Sequence, residues 1–168
     1  MTILHDNLKV KPDWRFLLSH PGHMLAFGLG LGLTPRSPGT AGTLLAFPFF
    51  WYLSPRLSDA MFILVLIWMF AIGVWVCELT GKALGEADYG GIVWDEVVAF
   101  LLVLFFTPEG VIWQLLAFSL FRFFDILKPP PIRYFDSHWH GGLGVMFDDL
   151  LAAGYTLFCL ALVKSILL

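Results

Sequence analysis

An all-α membrane bundle of about five spans, polytopic and with its N-terminus in the cytoplasm, is the fold class the sequence predicts. Three observations predict it. The 168 residues are 58% hydrophobic and only 14% charged, more apolar surface than a soluble domain of this length can bury. The apolar residues fall into long runs separated by turn-rich connections, and the basic residues gather on one set of those connections. A net charge of -3 argues against a nucleic-acid partner, so the bilayer is the expected surroundings.

Taken in order, residues 1–23 form a cytoplasmic or interfacial lead-in. The segment "MTILHDNLKVKPDWRFLL" carries both charge signs and lacks the continuous apolar core of a cleaved signal. The first span covers Ala41 to Leu53. It is short against the ~20 residues a bilayer needs and contains Pro48, so it is expected to begin earlier, near Met24, or to cross with a kink or break. The remaining spans run from Ala60 to Cys77, Ile92 to Phe106, Val111 to Leu127 and Leu150 to Leu168. The links "SPRLS" and "TPEG" are tight, whereas "ELTGKALGEADYGG" and "KPPPIRYFDSHWHGGLG" are long, polar and rich in Gly and Pro. With five spans, the long links share a side with Lys9, Lys11, Arg15, Arg36, Lys82, Arg122, Lys128 and Arg133, and only Arg56 and Lys164 lie opposite. That asymmetry places the long links in the cytoplasm. One domain, 1–168, accounts for the chain. Cys77 and Cys159 lie in separate apolar runs, as packing cysteines do, and indicate neither a disulfide framework nor a thiolate zinc site.

Four polar clusters meet on the cytoplasmic side of this topology. "TPRSPGTAGT" opens the first span, Asp95 and Glu96 open the third, "RFFDILKP" closes the fourth, and "HGGLGVMFDD" opens the fifth. Ionisable residues in spans are costly and tend to pair or to line functional cavities. Asp95, Glu96, Asp125, Asp148 and Asp149 would repel one another unless cations neutralise them. Magnesium fits such a set, because it takes hard oxygen ligands and a few carboxylates; the alternative is structural ion pairing with Arg122, Lys128 and Arg133. The carboxylates are expected in the first turns of their helices, where unpaired N–H groups favour an anion. Neighbouring helical residues point ~100° apart, so only one member of Asp95/Glu96 and one of Asp148/Asp149 is expected to reach a given ion. "SPGTAGT" has the chemistry of an anion cradle, with Ser37, Thr40 and Thr43 as hydroxyl donors beside Arg36, and equally that of a close helix contact. His140 stands before the Gly-rich turn, placed for a phosphate contact or for protonating a leaving alkoxide.

These motifs resemble the phosphatidylglycerophosphatase A family of bacterial inner-membrane enzymes. "GLGLTPRSPGTAGTL", "VWDEVV", "RFFDILKPPPI" and "HGGLGVMFDDLLAAG" are similar to the family's motifs and occur in the same order. Thr34 stands where the family pattern has a serine, and the "PPP" run is richer in proline than usual. The resemblance implies magnesium-dependent removal of the terminal phosphate of phosphatidylglycerophosphate, on the cytoplasmic face, to give phosphatidylglycerol. It points to Thr40 and Thr43 near the phosphate, Asp95 and Glu96 in an acidic centre, Asp125 with Lys128 beyond it, and Asp148 with Asp149 after His140. Water attack on a magnesium-polarised phosphate and an aspartyl-phosphate intermediate are both compatible with these residues. An ion-coupled transporter is the rival from another class, since carboxylates within spans also suit transport.

The topology makes a direct prediction. Alkaline phosphatase fused after Leu168 should be active in intact cells, and a green fluorescent reporter at the same place should stay dark. The opposite pattern would reverse the orientation.

Overall fold

The computed structural model describes residues 11–167; His5, Lys9 and the rest of the lead-in's first ten residues lie outside them. All regular structure among the described residues is helical. Two short helices, α1 (Trp14–Ser19) and α2 (Pro21–Ala26), lead into a 3₁₀ segment (Gly28–Leu33). There follow α3 (Pro38–Leu53), α4 (Asp59–Leu84), α5 (Trp94–Phe106), α6 (Val111–Leu127), α7 (Ile132–His138) and α8 (Gly142–Leu167).

The core sits around α5. Residues Trp94 to Leu101 are buried without a break, and α5 packs on α3, α4, α6 and α8. A helix buried on all faces needs apolar residues all round, and "VVAFLLVLFF" supplies them. Phe100 is the aromatic hub, with Phe47, Phe118 and Phe121 around it at ring-centroid distances of 5.3 to 5.9 Å. The second organising helix is α8, which packs on α4, α5, α6 and α7. The outer faces are the reverse of a soluble protein's: Trp51, Ile67, Trp68, Ile112, Ile126 and Phe158 are all exposed. Large apolar side chains turned outward at this density are consistent with a membrane protein.

Helix ends depart from the ends of the apolar runs. Pro48 lies inside α3 without ending it, and α3 starts at Pro38, where a missing N–H is harmless. Helix α4 runs seven residues past Cys77, through "ELTGKAL". Glu78 and Lys82 pair across one turn at 2.8 Å, and the helix stops where Gly85 takes the left-handed conformation (φ 72°). Helix α8 starts at Gly142, eight residues before Leu150, so "GLGVMFDD" is helix rather than link. Among the described residues, α4 and α8 are the helices long and apolar enough, by length and composition, to cross a membrane. Helices α3, α5 and α6 have 16, 13 and 17 residues, about 20 to 26 Å of rise against a hydrocarbon core of ~30 Å.

Glycines let the helices approach where side chains would not fit. A Cβ on Gly42 of α3 would collide with the side chain and carbonyl of Val93, at the mouth of α5, whereas one on Gly154 of α8 would meet nothing. Gly42→Ala should therefore lower stability by about 1–3 kcal/mol, the usual range for overpacking, and Gly154→Ala should leave it unchanged or raised. Thermal unfolding of the two variants in detergent reads the difference; equal midpoints would contradict the packing described.

Candidate active site

Three helices bring carboxylates into one buried place. Asp95 and Glu96 lie in the first turn of α5, whose N-cap, Val93, offers no side-chain acceptor. The chain enters there under two restraints: the Val93 N–H donates to the Ala26 carbonyl at 2.9 Å, and the Trp94 indole N–H to the Met69 carbonyl at 3.2 Å. Asp149 reaches the same point from α8. One oxygen from each of Asp95, Glu96 and Asp149 lies within 4.8 Å of the other two, and the three residues are 8%, 9% and 2% exposed. Asp95 Oδ1, Glu96 Oε2 and Asp149 Oδ2 are buried with no hydrogen-bond partner.

Arg122, from the end of α6, holds the flank of this cluster. Its guanidinium pairs with Asp125 one turn on, lies 3.6 Å from Glu96 Oε1 and donates to the Thr43 hydroxyl at 3.3 Å. Thr43 is fully buried and donates in turn to the Gly39 carbonyl at 2.9 Å. Gly39 has to be glycine, because a Cβ there would fall on the Glu96 carboxylate and the Arg122 guanidinium. Thus α3 touches the site through bare backbone and one hydroxyl. Asp125 lies beside Asp149, so α6 contributes an acid as well as a base.

Asp148 belongs to a neighbouring group. Lys128 caps α6 in the left-handed conformation (φ 43°) and points its ammonium at Asp148 Oδ2, 2.5 Å away, and at Asp136 Oδ1 of α7, 2.6 Å away. Burial alone would pull the Lys128 ammonium below its ordinary range, but the Asp148 and Asp136 carboxylates outweigh it and hold the lysine above that range. It is a cation at any physiological pH.

Several sequence expectations acquire definite positions. Asp148 and Asp149 diverge as their ~100° separation requires, with Asp149 toward Asp95 and Glu96 and Asp148 toward Lys128. Asp95 and Glu96 differ from that expectation: both offer an oxygen to the same place, the longer glutamate chain spanning the angular gap. The first-turn placement holds for Asp95 and Glu96 only. Asp148 and Asp149 lie two turns into α8, and Asp125 lies in the last turn of α6, where the dipole disfavours an anion; Arg122 offsets it. Thr40 is half-buried in the first turn of α3, and Arg36 and Ser37 are exposed just before it. Arg133 is exposed and donates to the Leu127 carbonyl at 3.5 Å. His140 is exposed two residues before α8, and the helix then rises ~10 Å to Asp149. Neither Arg133 nor His140 forms an ion pair with the cluster among the described residues.

Gly39, Asp136 and Glu78 were not singled out by the sequence. Gly39 had a signal, lying in the same small-residue motif as Thr40 and Thr43. Asp136 had none, since its meeting with Lys128 depends on the turn between α6 and α7. Glu78 accepts a hydrogen bond from the Gly142 N–H at 2.6 Å, and it sat in a stretch that reads as a connection.

The donor set suits a small hard cation. Five carboxylates, Asp95, Glu96, Asp125, Asp148 and Asp149, gather with two cations, Arg122 and Lys128, and four of the acids, all but Asp125, keep a buried oxygen without a partner. Uncompensated buried charge of this kind is strongly unfavourable. Oxygen-only ligands without cysteine or histidine favour magnesium-like ions over zinc.

The phosphatidylglycerophosphatase A family profile matches residues 24–164. A phosphatidylglycerophosphatase A from Escherichia coli (strain K12) is 44% identical over 154 residues, 90% of this chain and 88% of its own. A phosphatidylglycerophosphatase A from Haemophilus influenzae is 43% identical over 145 residues, 86% of this chain and 89% of its own. No solved structure matches the chain. Four motifs in order, a profile match over most of the length and relatives of this similarity agree: the chain belongs to the phosphatidylglycerophosphatase A family.

Proposed function

We propose that this protein is a magnesium-dependent lipid phosphatase of the bacterial inner membrane, which removes the terminal phosphate of phosphatidylglycerophosphate to give phosphatidylglycerol. The observation that carries the reading is the trio Asp95, Glu96 and Asp149, with three unpartnered buried oxygens, in a chain of this family. Family membership leaves the transporter reading without support.

In this reading Asp95, Glu96 and Asp149 hold magnesium, with Asp125 beside them. When bound, the ion supplies a Lewis acid for the phosphoryl oxygens and lowers the pKa of a water. The chain's own residues do the positioning. Arg122 is already fixed by Asp125, Glu96 and Thr43, and its Nε has no partner, so it offers a preorganised donor to a phosphoryl oxygen. Thr40, Ser37 and Arg36 stand at the start of α3 as donors to the phosphate, and the bare backbone at Gly39 lets Glu96 and Arg122 lie directly against that helix. Lys128, held by Asp136 and Asp148, adds positive charge beside the acids, Arg133 extends it at the exposed edge, and His140, at the same edge, is the proton donor to the leaving oxygen in this reading. Phosphoryl transfer depends mainly on such charge neutralisation and alignment.

The membrane supplies the substrate's diacyl half. We place all five helices α3, α4, α5, α6 and α8 across the bilayer, the three shorter ones accommodated by local thinning, with the site on the cytoplasmic face in a single domain.

Phosphate release from phosphatidylglycerophosphate by the protein purified in detergent tests this. Wild type should turn over with magnesium and stop on chelation. Asp149→Asn should lose at least about a hundredfold in kcat, as removal of a preorganised electrostatic group does, with its unfolding temperature kept within a few degrees. Metal-independent turnover, or full activity in the variant, would contradict the proposal.

A further inference from the structure

We infer that Glu78 is a positioning residue for the active site, setting the register of α8 and thereby where Asp149 stands. The inference rests on the phosphatase reading for its kinetic consequence, and on geometry for the rest.

Helices α4 and α8 pack antiparallel along an almost wholly apolar seam. Gly142 lies on Val74 and Glu78, so close that a Cβ would overlap the Val74 carbonyl. One turn on, Met146 lies on Gly73 and meets the Cys77 thiol through a weak sulfur contact at 4.0 Å. A further turn on, Leu150 shares an apolar cavity with Leu66 and Phe70. Apolar contacts are non-directional, so a directional bond adds to what the close glycine packing does for register. Among the described residues, the one strong hydrogen bond across this seam is from the Gly142 N–H to Glu78 Oε2, at 2.6 Å.

That bond also meets a need of α8 itself. A helix start leaves backbone N–H groups without partners, and Gly141, the residue before α8, has no side-chain oxygen to cap them. Glu78 supplies the acceptor from the neighbouring helix, with a charge that complements the helix N-terminus. Gly141 fits beneath the same carboxylate, where a Cβ would collide with Glu78 Oε2. From Gly142 to Asp149 is seven residues, two turns, so both lie on one side of α8. A slip of one residue would turn Asp149 by ~100° and carry it ~1.5 Å along the axis, out of reach of Asp95 and Glu96.

The test compares Glu78→Ala, Glu78→Gln and Lys82→Ala in the full chain in detergent. Hydrogen–deuterium exchange across residues 142–149, kcat on phosphatidylglycerophosphate and the unfolding temperature are read for each. Glu78→Ala should speed exchange in that segment about tenfold, as loss of a charge-assisted hydrogen bond does, and lower kcat roughly ten- to a hundredfold through misplacement. Exchange in α5 and α6 should not change. Glu78→Gln retains an acceptor oxygen and should recover most of both, and Lys82→Ala, which removes only the exposed ion pair, should match wild type. Unchanged exchange at 142–149 in Glu78→Ala, or faster exchange spread evenly over the chain, would overturn the inference. If wild type fails to hydrolyse the lipid, the substrate reading falls while the exchange comparison still decides the role of Glu78.

Discussion

The guanidinium of Arg122 is the contact on which the site depends. It reaches α5 at Glu96, α3 at Thr43 and its own helix at Asp125, and so ties three elements together at one point. A buried arginine without partners would be very costly, and so would the carboxylates without it. Each therefore fixes the other. The geometry follows from that mutual requirement: α5 must start inside the protein so that Asp95 and Glu96 are buried, and α3 must present Gly39 so that nothing stands between backbone and charge.

Arg122 and Lys128 do not complete the balance. Lys128 is committed to Asp148 and Asp136, which leaves the trio of Asp95, Glu96 and Asp149 with Arg122 on one flank and bare oxygens toward one another. Such an arrangement is poor for stability and well suited to holding a cation, as functional sites often trade the one for the other. Around it the protein packs aromatic side chains within and turns large apolar side chains outward, an arrangement consistent with a membrane protein.

Much of this was legible in the sequence. The long apolar runs located five of the helices, and α6 has the limits its run predicts, because Gly110 and the "KPPP" segment bracket it with breakers on both sides. The acids Asp95, Glu96, Asp125 and Asp149 were recognisable as charges that apolar surroundings do not tolerate singly. Helix ends were less legible, since hydropathy follows burial in lipid whereas a helix ends where its backbone loses partners. Thus α4 continues through polar "ELTGKAL" to a left-handed Gly85, and α8 begins at Gly142 because Glu78, distant in sequence, caps it. Angular reasoning separated Asp148 from Asp149 but not Asp95 from Glu96, where side-chain length overrides a 100° difference. Contacts made by turns, such as Lys128 with Asp136, leave no periodic trace.

The central claim is that Asp95, Glu96 and Asp149 form one cation site. Manganese, a spectroscopic substitute for magnesium with the same preference for oxygen ligands, tests it without reference to turnover. Electron paramagnetic resonance of the purified protein titrated with manganese counts bound ions directly. The account predicts saturable binding that magnesium displaces and that Asp149→Asn, Asp95→Asn and Glu96→Gln each weaken severely. Binding unchanged in all three variants would contradict it.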